Sequence, residues 1–228
     1  MKVRNIVILT GAGVSAESGV ATFRGPDGLW EGHRVEDVAT PEAFVRDPAL
    51  VHAFYDARRA KLATVAPNPA HEALARLDSR WSGELLLVTQ NVDDLHERAG
   101  SKRLVHMHGE LARGWCLRCD ARFSWTGPMG EGAQCPGCDT AGMVRPDIVW
   151  FGEIPYELDR IDREADGRVI HPIDTPITKT GGVVGLKGNL APDGAIVKVA
   201  GMSAEDQVFT GPARRALPKA VLTGRAAV

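Results

Sequence analysis

"NIVILTGAG", residues 5–13, decides the fold. Ile6 to Leu9 form an unbroken apolar run that flows directly into glycines. A strand with one solvated face would alternate; an unbroken run implies cover on both faces, as inside a parallel sheet. The pattern returns twice. "ELLLVTQNVDDLHERAG" (84–100) predicts a buried strand, a polar loop and a short helix, and "KRLVHMHGE" (102–110) a third strand with a glycine exit. Between the first two, Pro48 opens a helix predicted to reach about Ala66, with Leu50, Ala53, Phe54, Ala57 and Ala60 near one face. "PAHEALARLDSR" (69–80) gives another helix, with Ala70, Leu74 and Leu77 as its buried stripe. Strands alternating with helices predict an α/β fold whose ligands sit beyond the carboxyl ends of the strands. Those exits are "TGAG", "TQNVDD" and "HMHGE".

The 228 residues suffice for one large domain or a domain with a small insert. With 44% hydrophobic and 25% charged residues the chain reads as globular, and a net charge of -2 argues against direct nucleic-acid binding over the whole surface. No apolar run approaches a membrane span, and "IVIL" is too short for a secretory core, so a cytoplasmic protein with no membrane partner is expected.

Gly11, Ala12, Gly13 and Ala16 fit a G-x-G-x-x-A turn that lets backbone approach a pyrophosphate, although a tight turn needs glycine anyway. The acidic residue usual about 20 positions on is not evident, which suggests a dinucleotide held differently from that of a common dehydrogenase. Cys116, Cys119, Cys135 and Cys138 form two C-x-x-C pairs, the spacing of a closed structural zinc site rather than a redox pair. His106 and His108 share one strand face, so periodicity does not choose between them as general base. His33, His52, His71, His96 and His171 are assigned solvated or loop roles. Gln90, Asn91 and Asp93 offer amides and a carboxylate to a ligand, with helix capping by Asp93 as the plain alternative.

"GAGVSAESGVATFRG", "TQNVDDLHERAG", "HMHGE", the paired C-x-x-C motifs and "VWFGE" stand in the order and spacing of sirtuins, the NAD-dependent protein lysine deacylases, which residues 4–161 resemble. The resemblance implies that Gly11, Ala12, Gly13, Glu17, Phe23 and Arg24 line an NAD pocket and that Gln90, Asn91 and Asp93 contact its nicotinamide riboside end. It implies His108 as the base, zinc on the four cysteines, and acylated protein lysines as partners. Val149, Trp150, Phe151, Gly152 and Glu153 would form an edge strand that pairs with the substrate peptide. Tyr55 and Arg58 match the Tyr-x-x-Arg of bacterial-type members that accept acidic acyl groups; the plain alternative is a solvated basic face of Arg58, Arg59 and Lys61. A catalytically inactive acyl-lysine or partner-binding remnant is the alternative reading of the whole.

After residue 161 the composition shifts: all tryptophans, tyrosines and cysteines precede residue 163, and short β-branched runs follow. Residues 167–214 are similar to a fragment of dihydroxy-acid dehydratase, so the chain reads as chimeric or truncated. The expected organisation is a Rossmann-like part (1–112, helical insert about 33–70), a zinc module (113–145), a substrate strand and following loop (146–162) and a foreign β-rich tail (163–228). The Rossmann-like sheet would be incomplete, its strand edges lacking neighbours unless the tail packs there.

Overall fold

The computed structural model describes residues 5–21, 30–165, 170–173, 186–191 and 194–199. Phe23, Arg24 and most of the dehydratase-like stretch fall outside them. Strands β1 (Asn5–Thr10), β2 (Glu84–Thr89) and β3 (Leu104–His106) lie parallel in the predicted places. Each of Leu85 to Thr89 is buried, as an unbroken apolar run requires. A fourth parallel strand, β7 (Ile170–Ile173), pairs with the other edge of β1, giving the order β3-β2-β1-β7. The tail thus packs on this edge, the exception allowed for an otherwise incomplete sheet. The order reverses at β1, and such a switch point opens a crevice at the carboxyl ends of β1 and β7.

Helix α1 (Ala12–Ser15) follows β1 at once, and a 3-10 turn through Ser18 ends at Gly19 in the left-handed region. The insert holds α2 (Val35–Val38), α3 (Pro41–Arg46) and α4 (Pro48–Leu62). Thr40 and Asp47 accept hydrogen bonds from Ala43 and Leu50, capping α3 and α4, each of which begins with proline. The buried face of α4 is Val51, Phe54, Tyr55, Arg59 and Leu62, whereas Ala53, Ala57 and Ala60 are exposed. The alanine stripe was the wrong face because a methyl contributes little transfer energy beside Val51, Tyr55 and Leu62 at i, i+4 and i+11. Helix α5 (Pro69–Arg80) buries Ala70 and Leu74 as expected, with a capping box between Asn68 and His71. Helix α6 (Leu95–Ala99) is the short helix predicted after β2.

A second sheet, β5-β4-β6, joins β4 (Gly109–Cys116), β5 (Arg122–Ser124) and β6 (Val144–Ile148) antiparallel. It starts at Gly109, so it crosses the boundary expected at 112/113. Helix α7 (Leu158–Ala165) replaces the loop expected before residue 162 and runs into the tail. In that tail, β8 (Leu186–Ala191) and β9 (Gly194–Val199) form the antiparallel hairpin suggested by the β-branched runs around "APDG".

Gly109 sits where the two sheets meet, at φ +80, and a Cβ there would lie 2.1 Å from the Asp147 carbonyl oxygen. Gly109→Ala is expected to destabilise by about 3 kcal/mol or more. Gly130→Ala, also at positive φ but facing open space, should cost only about 1–2 kcal/mol. Thermal melts compare the two; equal losses would contradict the close approach.

Candidate active site

The exits of β1 and β2 are tied together by one hydroxyl. Ser15 Oγ donates to Asp93 Oδ2 at 2.9 Å and accepts from Asn91 Nδ2 at 3.0 Å. His71 Nε2 adds a third contact at 3.4 Å. The Asn68 amide N–H donates to His71 Nδ1 at 3.2 Å, which places the ring proton on Nε2 and makes His71 the donor to Ser15. Burial holds His71 down to about 4. Its neighbour His96, 4.8 Å away between ring centroids, is pushed to about 3 by burial and by the adjoining His71 and His106. Both are fully buried, and His52 is 3% exposed, which corrects the solvated roles expected for all three. The Asn68–His71 box at the start of α5 is the sequence feature that could have located His71.

Asn91 and Asp93 therefore point their side chains into this buried knot. Asp93 also accepts from the Leu95 amide, the capping role weighed for it, and burial raises its pKa. The Gln90 side chain is half-buried and bonds to no described residue.

The structure separates the two histidines at the β3 exit. His106 meets the Asn91 carbonyl through Nδ1 at 2.9 Å and Glu97 Oε1 through Nε2 at 2.5 Å. Burial opposes its charge, but the Glu97 carboxylate and the Asn91 carbonyl prevail and raise its pKa. His108 Nδ1 donates to the Gln90 carbonyl at 3.1 Å, and its Nε2 has no partner among the described residues. Burial lowers its pKa, only partly offset by that hydrogen bond. His106 is thus a charged ion-pair partner, and His108 a neutral imidazole with its lone pair on Nε2.

Residues 149–153 form no strand; β6 stops at Ile148. Glu153 folds the segment back by accepting from the Trp150 amide at 2.8 Å, and Gly152 takes φ +92. Glu153 also grips Arg145 with both oxygens, at 2.6 and 2.9 Å, while the Arg145 guanidinium stacks 3.3 Å from the Trp150 ring. The Val149 amide donates to the His108 carbonyl, tying this turn to the histidine. Trp150 Nε1 donates to Tyr55 Oη at 3.0 Å. Tyr55 is fully buried, its pKa driven well above that of an ordinary phenol by desolvation. Arg58, one turn on, stacks over Trp30 at 4.3 Å and pairs with Glu31 at 3.2 Å. Arg59 is buried against Asp56 and the Leu111 carbonyl. Neither arginine belongs to a solvated basic face.

The four cysteines converge, with all Sγ atoms within 4.8 Å of one another. The Cys116–Cys138 and Cys119–Cys135 separations are 3.8 and 3.6 Å. Zinc–sulfur bonds of about 2.3 Å in a tetrahedron require sulfurs about 3.8 Å apart, so the donor set fits zinc. The two knuckles match: Asp120 (φ 60) and Asp139 (φ 55) follow the second cysteine of each pair in the left-handed region.

The Sir2 family model matches residues 11–170. The chain belongs to the Sir2 family. A "NAD-dependent protein deacylase" of Bdellovibrio bacteriovorus is 50% identical, with 95% of this chain and 94% of that protein aligned. One of the same description from Shewanella oneidensis is 55% identical over 72% of this chain and 68% of its own length. Among solved structures, a Sir2 homologue in complex with NAD superposes with a TM-score of 0.65 at 43% identity, covering 76% of this chain and 69% of that one. A second family model, the dihydroxy-acid/6-phosphogluconate dehydratase C-terminal, matches residues 168–218. No helix among the described residues is long and apolar enough to cross a membrane.

Purified Sir2 chain is expected to carry one zinc, measured by atomic emission. Chelation should lower the melting temperature and speed amide exchange in residues 116–145 while the β1 and β2 amides stay protected. A zinc-free protein with an unchanged melt would rule the centre out.

Proposed function

We propose that the chain is an NAD-dependent protein-lysine deacylase that removes acetyl groups and also succinyl or malonyl groups, releasing nicotinamide and O-acyl-ADP-ribose. The observation that carries this is His108: a neutral imidazole fixed through Nδ1 on the Gln90 carbonyl, its Nε2 lone pair unpartnered among the described residues. It stands at the strand exits where an α/β sheet binds its ligands. The names of the curated relatives and the NAD complex of the similar structure support the same chemistry.

The site fits the dinucleotide: the Gly11–Gly13 turn follows β1, and the Gln90 amide and His108 Nε2 offer polar atoms with no described partner. When bound, NAD supplies an electrophilic ribose carbon from which nicotinamide departs. His108 Nε2 takes a proton from a ribose hydroxyl, while the carbonyl on Nδ1 stabilises the imidazolium that results. The Ser15 knot fixes Asn91 and Asp93, which set the cofactor loop rather than reaching far into it. Glu17, Phe23 and Arg24 complete the cofactor contacts in this reading. Cys116, Cys119, Cys135 and Cys138 hold a structural zinc. Val149, Phe151 and Gly152 receive the peptide of an acylated protein, and Trp150 and Glu153 anchor that turn from within. Arg58, with Tyr55 behind it, supplies the cation for an acidic acyl group. In the same reading the chain is a chimera, its Sir2 part joined to a dehydratase-like segment, since the two family matches meet at residues 168–170.

Nicotinamide release from NAD and an acyl-lysine peptide tests the assignment. His108→Ala should lower kcat about 10²–10⁴-fold. Because the His108 pKa is lowered, kcat/KM should stay level across neutral pH and fall only as acid protonates Nε2, below pH 6.5. Activity that survives the substitution would remove His108 from the chemistry. Arg58→Met should reduce desuccinylation far more than deacetylation; equal losses would refute the acidic-acyl assignment.

A further inference from the structure

The Trp30–His33 segment is a two-residue hairpin turn, with the backbone of Trp30 and His33 exchanging hydrogen bonds at 2.8 and 3.0 Å. Its central residues are Glu31 (φ 50) and Gly32 (φ 83), both in the left-handed region. Turns of this kind favour Asn-Gly; a glutamate in the first position is uncommon and carries backbone strain. What the glutamate gains there is Arg58. Its Oε2 lies 3.2 Å from Arg58 Nη1, and Trp30, packed edge-on against Phe54 at 5.0 Å, carries the turn onto α4.

Arg58 is nine-tenths buried, with its side chain 9% exposed, its guanidinium over Trp30 and its Nε lacking any partner among the described residues. A cation this deeply covered is costly without a counter-charge, and Glu31 provides one through a single nitrogen. A carboxylate binding the guanidinium fork in bidentate fashion would satisfy donors that Glu31 leaves unused. Glu31 itself is 36% exposed and sits on a strained turn, so the pairing partner is the more easily displaced of the two.

We infer that Glu31 is a resident carboxylate that neutralises Arg58 in the ligand-free enzyme and competes with an acidic acyl group for it, setting how strongly succinyl-lysine is favoured over acetyl-lysine. This rests on the proposed role of Arg58 in acyl recognition. A neutral acyl group does not approach the guanidinium as an anion and meets no such competition.

Steady-state kinetics at saturating NAD, on peptides identical but for a succinyl or acetyl group, test it. Glu31→Gln removes the charge; Glu31→Asn removes it and relaxes the left-handed turn. Both should lower KM for the succinyl peptide about threefold to tenfold, leaving kcat and the acetyl KM within about twofold. In an Arg58→Met background, Glu31→Gln should change neither peptide. A succinyl KM that is unchanged or raised in both single variants overturns the inference. If Arg58→Met itself leaves the succinyl-to-acetyl ratio untouched, the acyl-recognition reading has failed first. If that ratio collapses while the Glu31 variants do nothing, the competitor alone is wrong.

Discussion

The hydroxyl of Ser15 is the point on which the site depends. It has one proton and two lone pairs, and all three are used: Asp93 accepts, while Asn91 and His71 donate. These four residues come from helix α1 after β1, the exit of β2 and the first turn of α5. Their burial makes each bond matter, because losing one partner would leave desolvated polar atoms unsatisfied at about 1–3 kcal/mol each. Gln90 precedes Asn91 directly, so the knot also fixes the carbonyl that holds His108.

From that anchoring follows the division of labour between His106 and His108. They share one face of the chain, and each places Nδ1 on a carbonyl of the neighbouring exit, at Asn91 and Gln90. The difference lies on the other nitrogen. Helix α6 brings Glu97 to His106, and a carboxylate at 2.5 Å keeps that ring charged. No carboxylate among the described residues meets His108, so burial prevails and lowers its pKa, leaving the ring neutral. The neutral ring is set by what α6 does not reach among the described residues.

The features legible in the sequence were those set by local pattern. Unbroken apolar runs fixed β1 and β2, and the C-x-x-C spacing located the cysteine cluster, because each depends on residues near in sequence. On α4 the alanines mimic a buried stripe that Val51, Tyr55 and Leu62 form one step around the helix. For His71 the local cue is the Asn68 box, since its partner Ser15 lies 56 positions away; His96 has no local cue, its partner Thr10 lying 86 positions away. The resemblance implies a strand at 149–153, but Glu153 folds the segment into a turn by accepting from the Trp150 amide and pairing with Arg145. Glu31 looks like any loop acid until the left-handed turn delivers it to Arg58.

The pairing of β7 with β1 separates two requirements that a sheet edge usually meets together. A parallel ladder is made by backbone groups and asks of its new strand mainly extended geometry and reach. Ile170–Ile173 meet that demand from a stretch matched by the dehydratase model as well as the end of the Sir2 match, and Pro172 is tolerable because β7 is an edge. Thr10 lies in register with Ile173, so the switch-point crevice beside Gly11 has a strand on each side. Recognition is a different matter, since a ligand in that crevice meets the residues that leave the strand ends. On the β1 side these are the Sir2 turn at Gly11–Ser15; the residues that follow Ile173 lie outside the described ones and beyond the Sir2 match. A ladder completed by backbone therefore puts a strand on both sides of β1 without dictating which side chains meet a ligand there. Backbone pairing at β7 and the Ser15 knot that orients His108 are thus separate requirements, the first met by extended geometry and the second by particular side chains.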